Sequence, residues 1–347
     1  MWTCNSKLST AVYTMGVRII LISCMLGLTA CSSNPTSSTV SAEHNELYEG
    51  QPILAYIAER QSKTPEEAMQ RALKAKTEQD FDRALYEYIR AYELDNQHTD
   101  ALVQIANIHY ARKNYRIAYL AYQKALFIEP NLIAAHQGSG LILLRKKQHD
   151  LALESFSKAV ALDKAQRAEQ TEMKTDQATK AAHSTLAIES YNGLGIIYDM
   201  KGKFDEARLN YQAALELNAN DKIILNNLGY SYYLQSNWSQ AERYFTRALQ
   251  VDSAYQPGWK NLGLVYARQE KYMQALEALE QAMDTPQAYN DIGYVCLLSK
   301  RYERAADFFQ KAISANPQYY EIAYQNLLRV KRLLDSQRAD EKQLTKN

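Results

Sequence analysis

One pattern recurs every 34 residues and constrains this chain more than anything else in it. Trp259, Leu262, Gly263, Tyr266, Ala275 and Ala282 form one copy. Leu225, Leu228, Gly229, Tyr232, Ala241, Phe245 and Ala248 form a second, 34 residues earlier. Tyr191, Leu194, Gly195, Tyr198, Ala207, Tyr211 and Ala214 form a third, earlier again by 34. Downstream lie Tyr289, Ile292, Gly293, Ala305, Phe309, Ala312 and Pro317, and upstream lie copies around Ala118 and Ala152. A weaker first copy carries Ala72, Ala84, Tyr88 and Ala91. Fixed-period self-similarity of this length means a stack of identical supersecondary units.

Within each unit the large residues recur at spacings of three and four, which gives one apolar face per helix. The unit is therefore two antiparallel helices. Small residues at the eighth, twentieth and twenty-seventh positions let the two backbones approach, and an aromatic such as Tyr211 or Phe245 fills the space to the neighbouring unit. No unit buries its own face, so stacking is obligatory. Composition agrees. Gly and Pro together number 19 of 347, about half the usual share of roughly 12%. So few turn formers exclude an all-β sandwich or a Rossmann-type sheet. The expected fold is all-α, an α-α superhelix.

The residues just quoted resemble the tetratricopeptide repeat almost letter for letter. The resemblance covers residues 65–319 as seven repeats. The twentieth-position alanines (84, 118, 152, 207, 241, 275 and 305) reveal two irregular steps. Between 152 and 207 there are 21 extra residues, which either extend the flanking helices or project as a loop. Between 275 and 305 four residues are missing. The expected organisation is thus repeats one to three over 63–166, an insertion over 167–187, repeats four to seven over 188–319, and a cap helix with a frayed tail over 320–347.

The N-terminus reads as an address. Lys7 and Arg18 precede a ten-residue apolar run, Ile19 to Leu28, too short for a mature membrane span of about 20 residues but suited to a signal peptide. Leu28-Thr29-Ala30-Cys31 resembles the lipobox of bacterial lipoproteins, with Met1 or Met15 as the start. Residues 1–30 are then a signal peptide, and 31–62 are a lipidated Cys31 with a Ser/Thr-rich tether. Removal of Lys7 and Arg18 changes the formal net charge from +1 to −1. Ser32 after the cysteine implies, by the same resemblance, the periplasmic face of the outer membrane. Ile53 to Ile57 is a further short helix candidate.

The residues argue against catalysis. The six histidines are scattered, no pair has metal-ligand spacing, and neither HExxH nor CxxC occurs. Gly138-Ser139-Gly140 is a lone GxG within a helix. Cys296 falls at an interior position and reads as a buried structural thiol. No cofactor, metal or enzymatic activity is expected, and 40 basic against 39 acidic residues give no nucleic-acid surface.

Function is then expected on the first helix of each repeat, which in tetratricopeptide proteins lines the groove through positions two, five, nine, twelve and thirteen. The resemblance places Asn192, Asn226, Lys260 and Asn290 at position five. Tyr230, Leu264 and Tyr294 stand at position nine, and Tyr233 at position twelve. Asparagine amides suit a peptide backbone, and Tyr offers flat area with a polar tip. Few basic residues stand at these positions, unlike the groove type that clamps a carboxylate. Among lipoproteins built of such repeats, 288–298 and 319–327 look most like the TadD-type assembly protein of tight-adherence (Flp) pili, with the type IV pilotins second. That resemblance implies a partner such as a secretin or another pilus-assembly component. The alternative is a periplasmic scaffold that recruits peptidoglycan hydrolases.

Overall fold

The computed structural model describes residues 46–48, 62–172, 177–316, 318 and 320–344. The signal sequence, Cys31 and the Ile53–Ile57 stretch lie outside the described residues. Fifteen helices and no strand occur among those described. They are α1 (Pro65–Thr77) with α2 (Phe81–Leu94), α3 (Thr99–Ala111) with α4 (Tyr115–Ile128), and α5 (Ile133–Arg145) with α6 (His149–Glu172). Then come α7 (Gln177–Met200) with α8 (Phe204–Leu217), α9 (Lys222–Leu234) with α10 (Trp238–Val251), and α11 (Gln256–Arg268) with α12 (Tyr272–Glu280). The last pair is α13 (Thr285–Leu298) with α14 (Tyr302–Ala315), closed by α15 (Glu321–Leu344). Each α-α pair packs on the next in chain order. The weak first copy is a complete pair.

Two devices set the geometry of a unit. The first is the small residue at position eight. A Cβ on Gly229 would sit 2.8 Å from the Phe245 ring, and one on Gly195 would sit 2.4 Å from the ring of Tyr211. Such approaches leave room for hydrogen only, and the ring that profits is fully buried. Burying one aromatic side chain stabilises by about 2–3 kcal/mol. The second device is the turn between the two helices. Gln79, Lys113, Lys147, Gly202, Ser236, Glu270 and Lys300 all have positive φ, and each is the fifteenth residue of its repeat. A left-handed residue after the first helix lets the chain reverse tightly. Only Gly202 is a glycine, which reconciles the tight turns with the low glycine content.

The 21-residue insertion extends the flanking helices, with α6 running to Glu172 and α7 starting at Gln177. Stacking continues past it, because Phe156 lies against Gly140 of its own repeat and Gly193 of the next. The four-residue deletion falls at the end of a second helix, so α12 has 9 residues where its counterpart α10 has 14. First helices of neighbouring repeats touch along the array, whereas no second helix packs comparably on the next second helix. Closer approach on one side curls the array, with the first helices on the inner wall. No described helix is long and apolar enough to cross a membrane.

Candidate functional site

The inner wall of repeats four to seven is built by α7, α9, α11 and α13. The structure divides the expected groove residues into two sets. The position-five side chains are turned to the neighbouring repeat. Asn192 Oδ1 accepts from Asn227 Nδ2 at 2.7 Å, and Asn226 Oδ1 accepts from Asn261 Nδ2 at 2.9 Å. Asn290 Oδ1 accepts from Asn326 Nδ2 at 3.0 Å. Lys260 takes the same place at the intervening junction and pairs with Asp291 at 3.5 Å. Asn226 and Asn290 are only 7 and 8% exposed. These side chains form a ladder that sets the register between first helices, and their carbonyl oxygens are engaged by the protein itself.

The position-nine side chains form the second set, and they face outward. Tyr230 is 43% and Tyr294 42% exposed, with half-buried Leu264 on the repeat between them. Two exposed apolar side chains, Leu234 and Leu298, stand four residues further along the same helices, and so on the same face. Tyr233 is half-buried and already occupied. Its ring stacks on Tyr230 at 5.8 Å between centroids and meets Trp238 edge-on at 5.1 Å. Arg268 of the next repeat donates from Nε to the Tyr233 hydroxyl at 3.2 Å and from Nη1 to Ser299 at 3.0 Å. Burial, followed by the neighbouring Tyr233, raises the Tyr230 phenol above its ordinary pKa. It therefore stays neutral and can donate a hydrogen bond.

The Arg268 arrangement has an earlier twin. Arg145 donates from Nε to the Tyr110 hydroxyl at 3.0 Å, with its guanidinium 5.5 and 5.4 Å from the rings of Tyr110 and Tyr115. In both cases a position-twelve Tyr, the aromatic that opens the second helix and the position-thirteen Arg of the next repeat come together. Cation–π contact at a partly exposed site contributes about 0.5–1 kcal/mol. A sequence scan for Arg 35 residues after Tyr would have found both. Tyrosine hydroxyls also join elements elsewhere, from Tyr122 to Asn107 at 2.6 Å and from Tyr211 to Asp199 at 3.0 Å. These bonds give the excess of Tyr over Phe, 26 to 7, a structural use.

Two carboxylates are perturbed on this wall. Burial raises the pKa of Asp199 although Ser231 and Tyr211 both donate to it. Burial, then Asp221, raises that of Glu189, which accepts from Gln137. Each is tied to side chains of an adjacent helix, Asp199 to the Tyr211 and Ser231 hydroxyls and Glu189 to the Gln137 amide. Cys296 is fully buried, and desolvation raises its pKa. The Tyr272 phenol is pushed up to about 12, chiefly by burial. A thiol of raised pKa is unreactive. Among the described residues no group of His, Cys, Asp and Glu could hold a metal ion.

Sequence models of the tetratricopeptide repeat match residues 133–166, 188–221, 224–251 and 260–320. The units of this chain are tetratricopeptide repeats. The helix pairs outside those ranges share the left-handed fifteenth residue and so the same unit geometry. No match was found among curated proteins. A tetratricopeptide repeat protein from Parabacteroides merdae is similar over 77% of this chain and 98% of its own, at 16% identity and a TM-score of 0.51. The Cut9–Hcn1 hetero-tetramer of APC/C contains a chain that matches 77% of this one over 48% of its own length, at 17% identity and a TM-score of 0.52. YrrB, a tetratricopeptide protein with an unusual peptide-binding site, matches 62% of this chain and 97% of its own, at 20% identity and a TM-score of 0.44. The first two likenesses establish the superhelical fold. Tetratricopeptide repeats commonly serve as non-catalytic surfaces for protein or peptide partners.

Proposed function

We propose that this protein is a lipid-anchored adaptor on the periplasmic face of the outer membrane, holding a segment of an envelope-assembly protein against the inner wall of repeats five to seven. The observation that carries the binding site is the exposed position-nine row, Tyr230, Leu264 and Tyr294, on a wall whose register is fixed by its own amides. A rigid row of aromatic and aliphatic side chains at repeat spacing suits an extended or helical segment with apolar anchors. The anchor and its compartment rest on the Leu28–Cys31 lipobox. The choice of a pilus or secretion-channel component, such as a secretin, rests on the resemblance of 288–298 and 319–327 to the TadD type. Confinement to the membrane would raise the effective concentration of the groove for a membrane-bound partner.

The test uses the two exposed tyrosines, because Tyr233 is bound into the fold. Tyr230→Ala with Tyr294→Ala should weaken partner binding by at least about 2 kcal/mol, roughly 30-fold, and leave the thermal midpoint nearly unchanged. A photo-crosslinker at position 264 identifies what sits there in intact cells. Crosslinks to a secretin or pilus component support the proposal, while crosslinks to cell-wall hydrolases transfer the site to the scaffold reading. Undiminished partner capture by the double variant refutes the position-nine row as the site.

A further inference from the structure

At repeats two and three the two edges of the array carry opposite charge. All turns within repeats lie on one edge, and all turns between repeats lie on the other, because the helices alternate in direction. On the first edge, residues 110–118 and 144–152 contain Arg112, Lys113, Arg116, Arg145, Lys146 and Lys147 against one acid, Asp150. On the opposite edge, residues 92–101 and 126–135 contain Glu93, Asp95, Asp100 and Glu129 and no Lys or Arg. Arg112 is paired with Asp82 at 2.7 Å, and Asp150 is taken by Lys201 at 2.6 Å. Arg145 and Lys146 lie over tyrosine rings. Lys113, Arg116, Arg145, Lys146 and Lys147 are all exposed, and none of the five pairs with a carboxylate among the described residues. Five unneutralised cations on two adjacent turns form a surface that attracts anions.

The start of the described chain packs on the second repeat, between its two edges. Leu47 is fully buried against the first repeats. Its carbonyl lies 2.8 Å from His109 Nε2, and Glu46 pairs with Lys124 at 3.1 Å. His109 and Lys124 belong to α3 and α4, the two helices joined by the Arg112–Arg116 turn. The chain is therefore fixed to the second repeat from residue 46 onward. Fourteen residues separate Cys31 from Glu46. The greatest distance such a length of chain can bridge is about 50 Å. A lipid on Cys31 would hold the second repeat within that distance of the headgroups.

We infer that the basic edge of repeats two and three docks on an anionic phospholipid surface, so that the array lies with this edge down and its acidic edge away from the bilayer. This rests on the lipid-anchor reading above. A basic patch near the anchor adds electrostatic attraction to an anionic leaflet, about 1 kcal/mol per Lys or Arg near the surface. The edge presents its cations on projecting turns and not inside the groove, which suits a surface better than a bound peptide.

The test takes the processed chain from bacterial membranes, carrying Gln148→Cys or Asn96→Cys in a Cys296→Ala background and labelled with a fluorophore. It is reconstituted on phosphatidylethanolamine vesicles with or without phosphatidylglycerol, each containing an acceptor-labelled lipid. Energy transfer should be stronger from position 148 than from position 96 on the anionic vesicles. The difference should vanish on neutral ones and at ionic strength near 1 M, where the Debye length is about 3 Å. Glutamine at Lys113, Arg116, Lys146 and Lys147 should abolish it while the chain stays on the vesicles. Gln79 already occupies the equivalent left-handed position in repeat one, so glutamine is tolerated there. Equal transfer from both positions on anionic vesicles overturns the docking alone. A chain that floats free of both vesicle types overturns the anchor and the docking together. Capture of a fluorescent hexaglutamate peptide by the edge, with no vesicle orientation, would also overturn it.

Discussion

The early and late junctions of the array hold neighbouring repeats together by different chemistry at the same position. At position six, repeats three and four carry Gly138 and Gly193, and a ring from the preceding repeat fills the space. A Cβ at Gly138 would lie 2.2 Å from Tyr122, and one at Gly193 would lie 2.4 Å from Phe156. Repeats five, six and seven carry Asn227, Asn261 and Asp291 there, each bonded to the position-five residue of the repeat before. The junctions into repeats three and four are joined by a ring against bare backbone, the later ones by polar side chains. Ring contacts depend on volume, and amide contacts depend on completed hydrogen bonds, so the two halves should fail differently.

The sharpest break of that contrast is leucine at position six. Gly193→Leu must displace Phe156, which is fully buried, and should cost about 3 kcal/mol, the upper part of the overpacking range. Asn227→Leu, at the same position one repeat later, adds no comparable clash and removes only the bond to Asn192. Its cost should be about 1 kcal/mol. Hydrogen exchange is the appropriate measurement, because damage in a linear array stays near the altered repeat. Loosening confined to repeats three to five in Gly193→Leu is expected. Equal costs at the two positions would show that the halves are joined alike.

A smaller effect tests the amide side. Asn226 is buried, and its removal leaves Asn261 Nδ2 without its acceptor, so Asn226→Ala should cost about 1–2 kcal/mol. The double-mutant cycle with Asn261→Ala should return a coupling of about 1 kcal/mol. The cycle with Asn192→Ala, which belongs to the preceding rung, should return close to zero. Coupling of equal size in both cycles would mean that the rungs act as one network and not as independent joints.

The repeat, its register and the number of helix pairs were legible because they follow from periodic side-chain size, which stacking requires directly. The position-nine face came from the resemblance to the tetratricopeptide groove, and Tyr230 and Tyr294 are exposed there on helices that Leu225 and Ile292 anchor from within. The position-five residues were located, but the identity of their partners was not legible. Asn226 meets Asn261 only because two helices from different repeats lie at one particular separation, and no local pattern encodes that distance. The insertion illustrates the same limit. A polar stretch without Gly or Pro fits both a loop and a longer helix, and the packing of Phe156 between Gly140 and Gly193 keeps the array continuous through it. The basic edge was hidden by the near-zero net charge, because a local cluster on two turns of repeats two and three vanishes in a sum over the whole chain.

The smallest predicted effect concerns the feature common to both halves. Position fifteen is left-handed in all seven repeats, yet six of the seven residues there are not glycine, so the low glycine content gave no sign of these turns. A side chain in that conformation costs roughly 1–2 kcal/mol, and glycine gives back about 0.5–1 kcal/mol through its greater freedom in the unfolded chain. Lys113→Gly in the early half and Ser236→Gly in the late half should therefore each stabilise by about 0.5–1 kcal/mol. Gly202→Ala should destabilise by a similar amount. The effects should be equal in the two halves, since the turn precedes any contact between repeats, and they should add when combined, because the sites are separate. Urea denaturation of the single and combined variants reads this directly. As a control, Ser239→Gly, within the first turn of α10, should destabilise by a few tenths of a kcal/mol or more. If glycine at position fifteen stabilises one half only, the turns are not the shared frame, and the difference between the halves extends below the junctions into the unit itself.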